Sequence, residues 1–379
     1  MASGTGLIAA TYGLVRLAYG LFLPDVQAKL RLDTSEAGLI SAGASVAYCL
    51  AALIGLVVVS RHSRSLVVAA ALTASSGAAG MAASHHTTAF AMFAILGSAG
   101  GGLASPGLVC IVRRNVTAET NDRSQARVNA GTGPGLVAAG VLALMLLPNW
   151  RQAWSCVAVF TIVVAAAVLI LDRGRDHDDA EGGGQIVPSW SWFVAHQHVI
   201  VAAFLMGAAS SAVWNYGRTL LMDAGASEQA SVSAWIALGL GGTASISTAR
   251  LITAARPRTA WTATVLTVAV ASATLGLTPR STVIALVACA AFGWGYTAGT
   301  GALIAWTTLI DEIHAPAGTS LLFITLVLGQ AVGATIIGTL MASAGTGAAF
   351  LTAGAIMLAA ATAPLLWKSQ RPARQPAPV

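Results

Sequence analysis

One arginine, Arg16, lies inside a long apolar stretch near the start of the sequence. It precedes Pro24 by eight residues, which at 1.5 Å per helical residue is about 12 Å from the end of a membrane span. Tyr12 and Tyr19 flank it at i−4 and i+3, so an α-helix would carry all three on one face. A charged side chain within the hydrocarbon of a membrane is energetically unfavourable, so one that occurs there is a candidate functional residue. We expect this face to line an aqueous cavity where Arg16 binds an anionic or carbonyl group; the alternative is a structural bond to a neighbouring helix.

A second polar face is predicted in a later apolar stretch, where Trp214, Asn215 and Arg218 recur at i, i+1 and i+4. Arg218 stands only five residues before Asp223, so an anchoring role at the membrane surface is its alternative to a place on a substrate path. The other polar candidates for substrate binding within apolar stretches are Trp294, Thr297 and Gln330.

The acidic residues all map to loops or to the ends of predicted spans, and so do the histidines. Four acids near the ends of the first, second, seventh and eighth spans predict an entry site for a proton or cation, or latches between helices: Asp25, Glu36, Asp223 and Glu228. Ordinary interfacial side chains are the alternative. Coupling to a proton or another ion therefore stays open.

Motifs for enzyme chemistry are missing from the sequence. It has no HExxH, GxSxG or GxxxxGK[ST] pattern, and its four cysteines form no CxxC pair. We therefore expect neither catalysis nor a cofactor nor a metal.

These candidates must be positioned by membrane helices. Apolar residues make up 56% of the 379 residues and charged residues only 9%, whereas soluble domains carry about 25% charge. A span needs roughly 20 apolar residues and must be helical. The sequence predicts an all-α integral membrane protein with twelve spans: 7–23, 37–59, 66–83, 88–112, 128–147, 153–171, 199–222, 230–252, 259–277, 283–310, 319–342 and 346–367.

A polar, glycine-containing stretch, 172–198, divides the spans into two groups of six. We expect an N-terminal six-helix bundle (1–171), a cytoplasmic linker (172–198), a C-terminal bundle (199–367) and a cytoplasmic tail (368–379). Basic residues concentrate in the loops on the side of the N-terminus, which predicts a protein of the cytoplasmic membrane with both termini in the cytoplasm. This pattern also explains the net charge of +6 without nucleic-acid binding.

The two groups of spans carry matching glycine pairs, Gly97/Gly101 with Gly295/Gly299 and Gly131/Gly135 with Gly329/Gly333, as expected of a repeat with close helix contacts. The first and seventh spans each contain a Tyr-Gly pair as well, at Tyr19-Gly20 and at Tyr216-Gly217.

With these features the chain resembles the major facilitator superfamily of secondary transporters over nearly its whole length. The loop after the second span, GLVVVSRHSRS, matches that family's basic motif at Arg61 and Arg64, with Ser60 in place of its acid and Ser63 in place of its glycine. Gly133 and Pro134 are similar to the Gly-Pro motif of antiporter-type exporters. Residues 292–338 are similar to the group that includes the YbfB/YjiJ-like permeases.

The resemblance implies a secondary active transporter in which two bundles rock around a central site. The Gly-Pro motif favours efflux of a metabolite or drug-like compound. The alternatives are import or exchange of a small organic anion, or a membrane sensor or assembly partner that transports nothing. We expect a small-molecule substrate, the lipid bilayer and no nucleic acid as partners, and a monomer.

Overall fold

A computed structural model of the chain describes residues 1–174, 189–312 and 314–362. Within this part the protein is helical and contains no strand. We number twelve helices, α1 Ala2–Leu30, α2 Thr34–Val59, α3 His62–Ala83, α4 Thr87–Asn115, α5 Thr132–Leu146, α6 Trp150–Leu171, α7 Trp190–Asp223, α8 Glu228–Ala254, α9 Pro257–Leu277, α10 Thr282–Ile310, α11 Ala315–Ala344 and α12 Thr346–Thr362.

The prediction of an all-helical membrane protein is confirmed. In the described part of the chain, eleven helices are long and apolar enough to cross a membrane, and α12 adds 17 residues at the position of the twelfth predicted span. Helices α2 and α3 run on from each other across a kink at His62, and a connecting helix, Ala118–Asn129, precedes α5. The central part of the predicted linker (175–188) and the predicted tail (368–379) lie outside the described residues.

The seventh helix begins at Trp190, nine residues before its predicted start. Trp192, His196 and Val199 repeat at helical spacing and are all buried, so the aromatic end of the predicted linker packs as a helix. The Trp192 and His196 rings stack at 3.9 Å between centroids. Polar composition alone therefore placed this boundary too late in the chain.

The matching glycine pairs make matching contacts. Gly97 brings α4 against Gly77 of α3, and Gly295 brings α10 against the Thr264 carbonyl of α9. Gly135 lets α5 approach the Ala9 carbonyl of α1, and Gly333 lets α11 approach the Ala208 carbonyl of α7. These two contacts in the N-terminal half (1–174) thus have counterparts six helices later in the C-terminal half (189–362), as expected of a repeat.

Helix α1 is not a regular α-helix in its middle. Residues Ala9–Leu17 form a π-helix, in which the Ala18 N–H bonds to the Gly13 carbonyl five residues back. The wider turn changes which side chains share a face, and such segments occur often at functional sites. Arg16 lies in this segment.

The two halves meet closely along α1 and α7. A Cβ atom added to Gly20 would lie 1.9 Å from the Trp214 carbonyl oxygen, so only glycine permits this approach. The Tyr216 hydroxyl of α7 lies within hydrogen-bond distance of the Thr34 carbonyl in the N-terminal half (3.3 Å) and of the Ala334 carbonyl in its own half (3.1 Å). The halves are therefore in contact on the side of the bundle opposite the N-terminus, which we call the far side.

Candidate substrate site

Arg16 lies between the halves, at the centre of the candidate site. Its Nη2 donates to Oε1 of Gln330 on α11 at 2.6 Å, and its guanidinium carbon lies 4.8 Å from the ring centroid of Tyr48 on α2. The Tyr12 and Tyr48 hydroxyls are hydrogen-bonded to each other. None of the ion pairs among the described residues includes Arg16.

An aromatic wall from the C-terminal half faces this arginine. Gln330 Nε2 donates to the Tyr296 hydroxyl at 3.1 Å, and Tyr296 packs edge-on against Trp214 with 5.2 Å between centroids. Phe292 stacks on Tyr296 at 5.9 Å. Rings of this kind offer apolar contact area and a weakly polar edge to a bound organic molecule.

A small cavity opens beside Arg16, with a volume of about 30 Å³. This holds about one water molecule, so the halves have closed on the site in this structure. Five of the nine predicted substrate residues line the cavity, and so do four serines: Arg16, Tyr19, Trp214, Asn215, Gln330, Ser41, Ser45, Ser98 and Ser211. The remaining lining residues are apolar, and none is acidic.

Two polar side chains of the cavity, Ser98 and Asn215, can form further hydrogen bonds. The Ser98 hydroxyl is buried and has no partner in the described part of the chain. Ser41 donates to Oδ1 of Asn215 at 2.8 Å, which orients the Asn215 side chain. The cavity thus combines one cation with neutral hydrogen-bonding groups, a set that suits an anion carrying a polar substituent.

Tyr12 and Tyr19 have different partners, and of the two Tyr19 lines the cavity with Arg16. Tyr12 contacts Tyr48, whereas Tyr19 is buried and donates to the Ala37 carbonyl at 3.0 Å. Tyr12 lies in the π-helical segment, whose wider turns differ from the α-helical spacing on which the prediction was based.

Arg218 lies in an ion pair instead of along the cavity. It binds Asp25 of α1, the Leu21 carbonyl (2.7 Å) and the Ser231 hydroxyl of α8 (3.1 Å). Its side chain is 0% exposed and that of Asp25 is 14% exposed. The pair joins the halves on the far side, as one of the predicted latches would.

The other predicted acids do not join this pair. Glu36 forms a capping box with Asp33 at the start of α2, with bonds of 2.7 and 3.2 Å. Asp223 is exposed at the end of α7, and Glu228 lies in the first turn of α8. Only Asp25 contacts the opposite half through a charged partner.

Trp294 and Thr297 lie towards α8, outside the residues that line the cavity. The Trp294 indole N–H donates to Thr248 Oγ1 at 2.8 Å, and Thr297 is exposed next to Gly242. Tyr296, between them in sequence, is the α10 residue that reaches Gln330.

Arg64 belongs to a polar cluster on the side of the N-terminus. Asp172 accepts hydrogen bonds from Arg64 (2.7 Å), Arg114 and Asn115 (2.7 Å), which ties the end of α6 to α3 and α4. Burial alone raises the pKa of this carboxyl, but the bonds from Arg114 and Asn115 outweigh it and lower the pKa to about 2. The side chain of Arg61 lies outside the described set.

Gly133 and Pro134 lie where α5 meets α8. A Cβ atom on Gly133 would lie 2.5 Å from Thr243 Oγ1. A groove of about 520 Å³ borders Pro134 there, but its lining is apolar except for Thr243, whose hydroxyl already bonds to the Gly239 carbonyl at 2.9 Å. Hydrocarbon tails suit such a surface better than a polar solute, so the smaller cavity at Arg16 is the better candidate site.

Sequence reasoning missed Tyr48, Tyr296 and the four serines. Each is a polar side chain within a predicted apolar span, as Gln330 is, and that was the available signal. Serine was passed over because it also bonds to its own helix backbone, as Ser211 does to the Ala208 carbonyl at 2.7 Å.

Comparison with known proteins decides the family. The sequence profile of the Major Facilitator Superfamily matches residues 5–316. The chain belongs to the major facilitator superfamily. It is thus a multi-pass membrane transporter of small solutes and not an enzyme. Among curated protein sequences, none matches this chain.

Solved structures of superfamily transporters share the fold at low sequence identity. The nucleoside transporter NupG has 12% identity and a TM-score of 0.79, with 96% of this chain and 98% of that chain covered. The human organic anion transporter MFSD10 (TETRAN) has 14% identity and a TM-score of 0.71, with 95% and 97% covered. A D-xylose-proton symporter has 14% identity and a TM-score of 0.72, with 95% of this chain and 94% of that chain covered. This likeness establishes the superfamily fold and leaves the substrate to be argued from the site.

Proposed function

We propose that the chain is a secondary active transporter that carries a small organic anion between its two halves by alternating access. The observation behind this proposal is Arg16, a cation in the middle of a membrane helix with a neutral amide and an aromatic ring as its partners. Arg16 is half-buried, and a charge partly removed from water without a counterion is unfavourable. A carboxylate or phosphate of the substrate would neutralise it with a charge-assisted hydrogen bond.

The rest of the site supports a substrate with an organic body. Trp214 and Tyr296 offer ring edges for apolar contacts, and Ser98 and Asn215 offer hydrogen bonds to a polar substituent. The cavity must widen to admit any such molecule, because its present volume of about 30 Å³ holds little more than a water molecule.

Direction and orientation complete the proposal. We place the N-terminal side in the cytoplasm of the cytoplasmic membrane, on the basis of the basic loops, and favour efflux, on the basis of the likeness of Gly133 and Pro134 to the exporter motif. The two halves would act as separate bundles that move about the α5–α8 and α2–α11 contacts, with the Asp25–Arg218 pair holding the far side closed.

Thermal unfolding of the purified protein tests the proposed substrate class. Three probes of similar size and different charge are benzoate, benzamide and benzylamine, each titrated against wild type, Arg16→Gln and Arg280→Gln. A ligand that binds only the folded state stabilises it by about 2.7 kcal/mol at 100 times its Kd. We expect benzoate to raise the Tm of wild type and of Arg280→Gln, in which an exposed arginine of the α9–α10 turn loses the same charge.

Arg16→Gln should lose this stabilisation. Equal stabilisation of all three proteins by benzoate would make Arg16 a structural residue. Stabilisation by benzylamine or benzamide in place of benzoate would overturn the anionic class and leave the superfamily assignment untouched.

A further inference from the structure

Gln330 occupies the position beside Arg16 at which a substrate anion is expected. Its Oε1 lies 2.6 Å from Arg16 Nη2, and the two residues come from opposite halves of the chain. The hydrogen bond therefore connects α1 to α11 directly across the cavity.

The orientation of the Gln330 amide is fixed by its two neighbours. A guanidinium only donates hydrogen bonds, so the amide atom that faces Arg16 must be the carbonyl oxygen. The amide nitrogen then donates to the Tyr296 hydroxyl at 3.1 Å. Gln330 is 5% exposed and is held from both sides, so its oxygen is presented to Arg16 as a fixed acceptor.

An arginine that served only to attract an anion would oppose closure of the empty site. Closing the halves around Arg16 removes it from water, and an unpaired charge resists this step. The structure nevertheless shows the halves closed around a cavity with room for one water molecule. The Gln330 oxygen accepts a hydrogen bond from Arg16 and so lowers the free-energy cost of this closure.

We propose that Gln330 substitutes for the anionic group of the substrate in the empty carrier, so that the halves close with or without cargo. The inference rests on the proposed anion site. A bound anion would displace Oε1 from the guanidinium, and Oε1 would return when the anion leaves. A carrier that can close empty is able to carry out net transport, whereas one that closes only when loaded is restricted to exchange.

A native cysteine reports whether the halves are closed. Cys49 of α2 is buried next to Tyr48, and its thiol donates to the Ile324 carbonyl of α11 at 3.6 Å, across the same junction. N-ethylmaleimide can reach this thiol only when the halves separate. Cys110 and Cys289 are also buried and have no part in this contact, so their alkylation in the same sample measures general loosening of the fold.

The test is the rate of Cys49 alkylation in the full-length protein without added anion, measured by peptide mass spectrometry. Loss of one hydrogen bond to a charged group predicts an about tenfold rise for Gln330→Leu, with Cys110 and Cys289 unchanged. Gln330→Glu places a carboxylate beside Arg16 and should slow Cys49 alkylation below the wild-type rate.

Anion titrations separate this inference from the proposed function. Benzoate should restore Cys49 protection in Gln330→Leu, and should lose its effect on the Tm of Gln330→Glu, where the carboxylate already occupies the position. Wild-type rates of Cys49 alkylation in both variants, or a rise in all three cysteines of Gln330→Leu without slowing in Gln330→Glu, would overturn the role of Gln330. Altered Cys49 rates in a protein that benzoate does not stabilise would retain Gln330 as a closing contact and overturn its role as an anion substitute.

Discussion

The ion pair between Asp25 and Arg218 offers a quantitative test of how the far side is held closed. Breaking a buried pair by removing one partner costs about 3–5 kcal/mol, because the other charge stays buried. Asp25→Leu should lie near 3 kcal/mol, since Arg218 keeps its bonds to the Leu21 carbonyl and the Ser231 hydroxyl. Arg218→Met should cost more, because it also leaves these two groups without their donor.

The assay is thermal unfolding of the two single variants, of the double variant Asp25→Leu/Arg218→Met, and of Asp223→Asn as a control. Asp223 is an exposed carboxylate at the end of α7, so its loss should change the Tm little. The double variant should recover at least half of the loss caused by Arg218→Met, since no charge is then left unpaired. If Asp25→Leu unfolds at the same temperature as Asp223→Asn, or if the two single effects simply add, the pair does not stabilise the closed far side.

Two further predictions concern helix contacts. Gly20→Ala should destabilise the closed form by about 1–3 kcal/mol, because its Cβ would lie 1.9 Å from the Trp214 carbonyl oxygen. Gly217→Ala is the control and should leave the Tm unchanged, because the nearest atom to its Cβ lies at 3.6 Å. Equal Tm values for the two variants would contradict this prediction. Asp172→Asn should lower stability by about 2 kcal/mol, because the pKa of Asp172 falls from 3.8 to about 2 on folding. A carboxyl pKa that is lowered on folding stabilises the fold at every pH above the ordinary pKa of 3.8, and this stabilisation is lost as the pH falls through about 2. The Tm difference between wild type and Asp172→Asn should therefore be the same at pH 5 and at pH 8. A Tm difference that appears only at pH 8 would show that the lowered pKa of Asp172 is not its cause.

The fold was predictable from the sequence because membrane helices follow directly from apolar length. Each of the twelve predicted spans corresponds to a helix, and the boundary errors arose where polar or aromatic residues continue a helix beyond the apolar run. Trp192 and His196 are the clearest example, since burial against neighbouring helices cannot be read from their polarity.

The site was only partly predictable. Arg16 and Gln330 were found because polar groups are rare within spans, but their contact joins residues 314 positions apart and depends on how the halves pack. The predicted face of α1 includes part of a π-helical segment that no residue pattern announces, and the shared face of Tyr12, Arg16 and Tyr19 stays a prediction. Arg218 was predicted to lie on a substrate path or to anchor the helix at the membrane surface, and its pairing with Asp25 was not among these alternatives because it depends on tertiary packing.

In the anion carrier that we propose, the charge of Arg16 would also make transport sensitive to membrane voltage. Alternating access moves the site from one side of the membrane field to the other, and one elementary charge crossing the full field is worth about 2.3 kcal/mol per 100 mV. With a monovalent anion bound, the net charge of the site would be zero, and membrane voltage would not act on its movement. The empty carrier would keep the positive charge of Arg16, so membrane potential would act on its return step and bias which side an unloaded site faces.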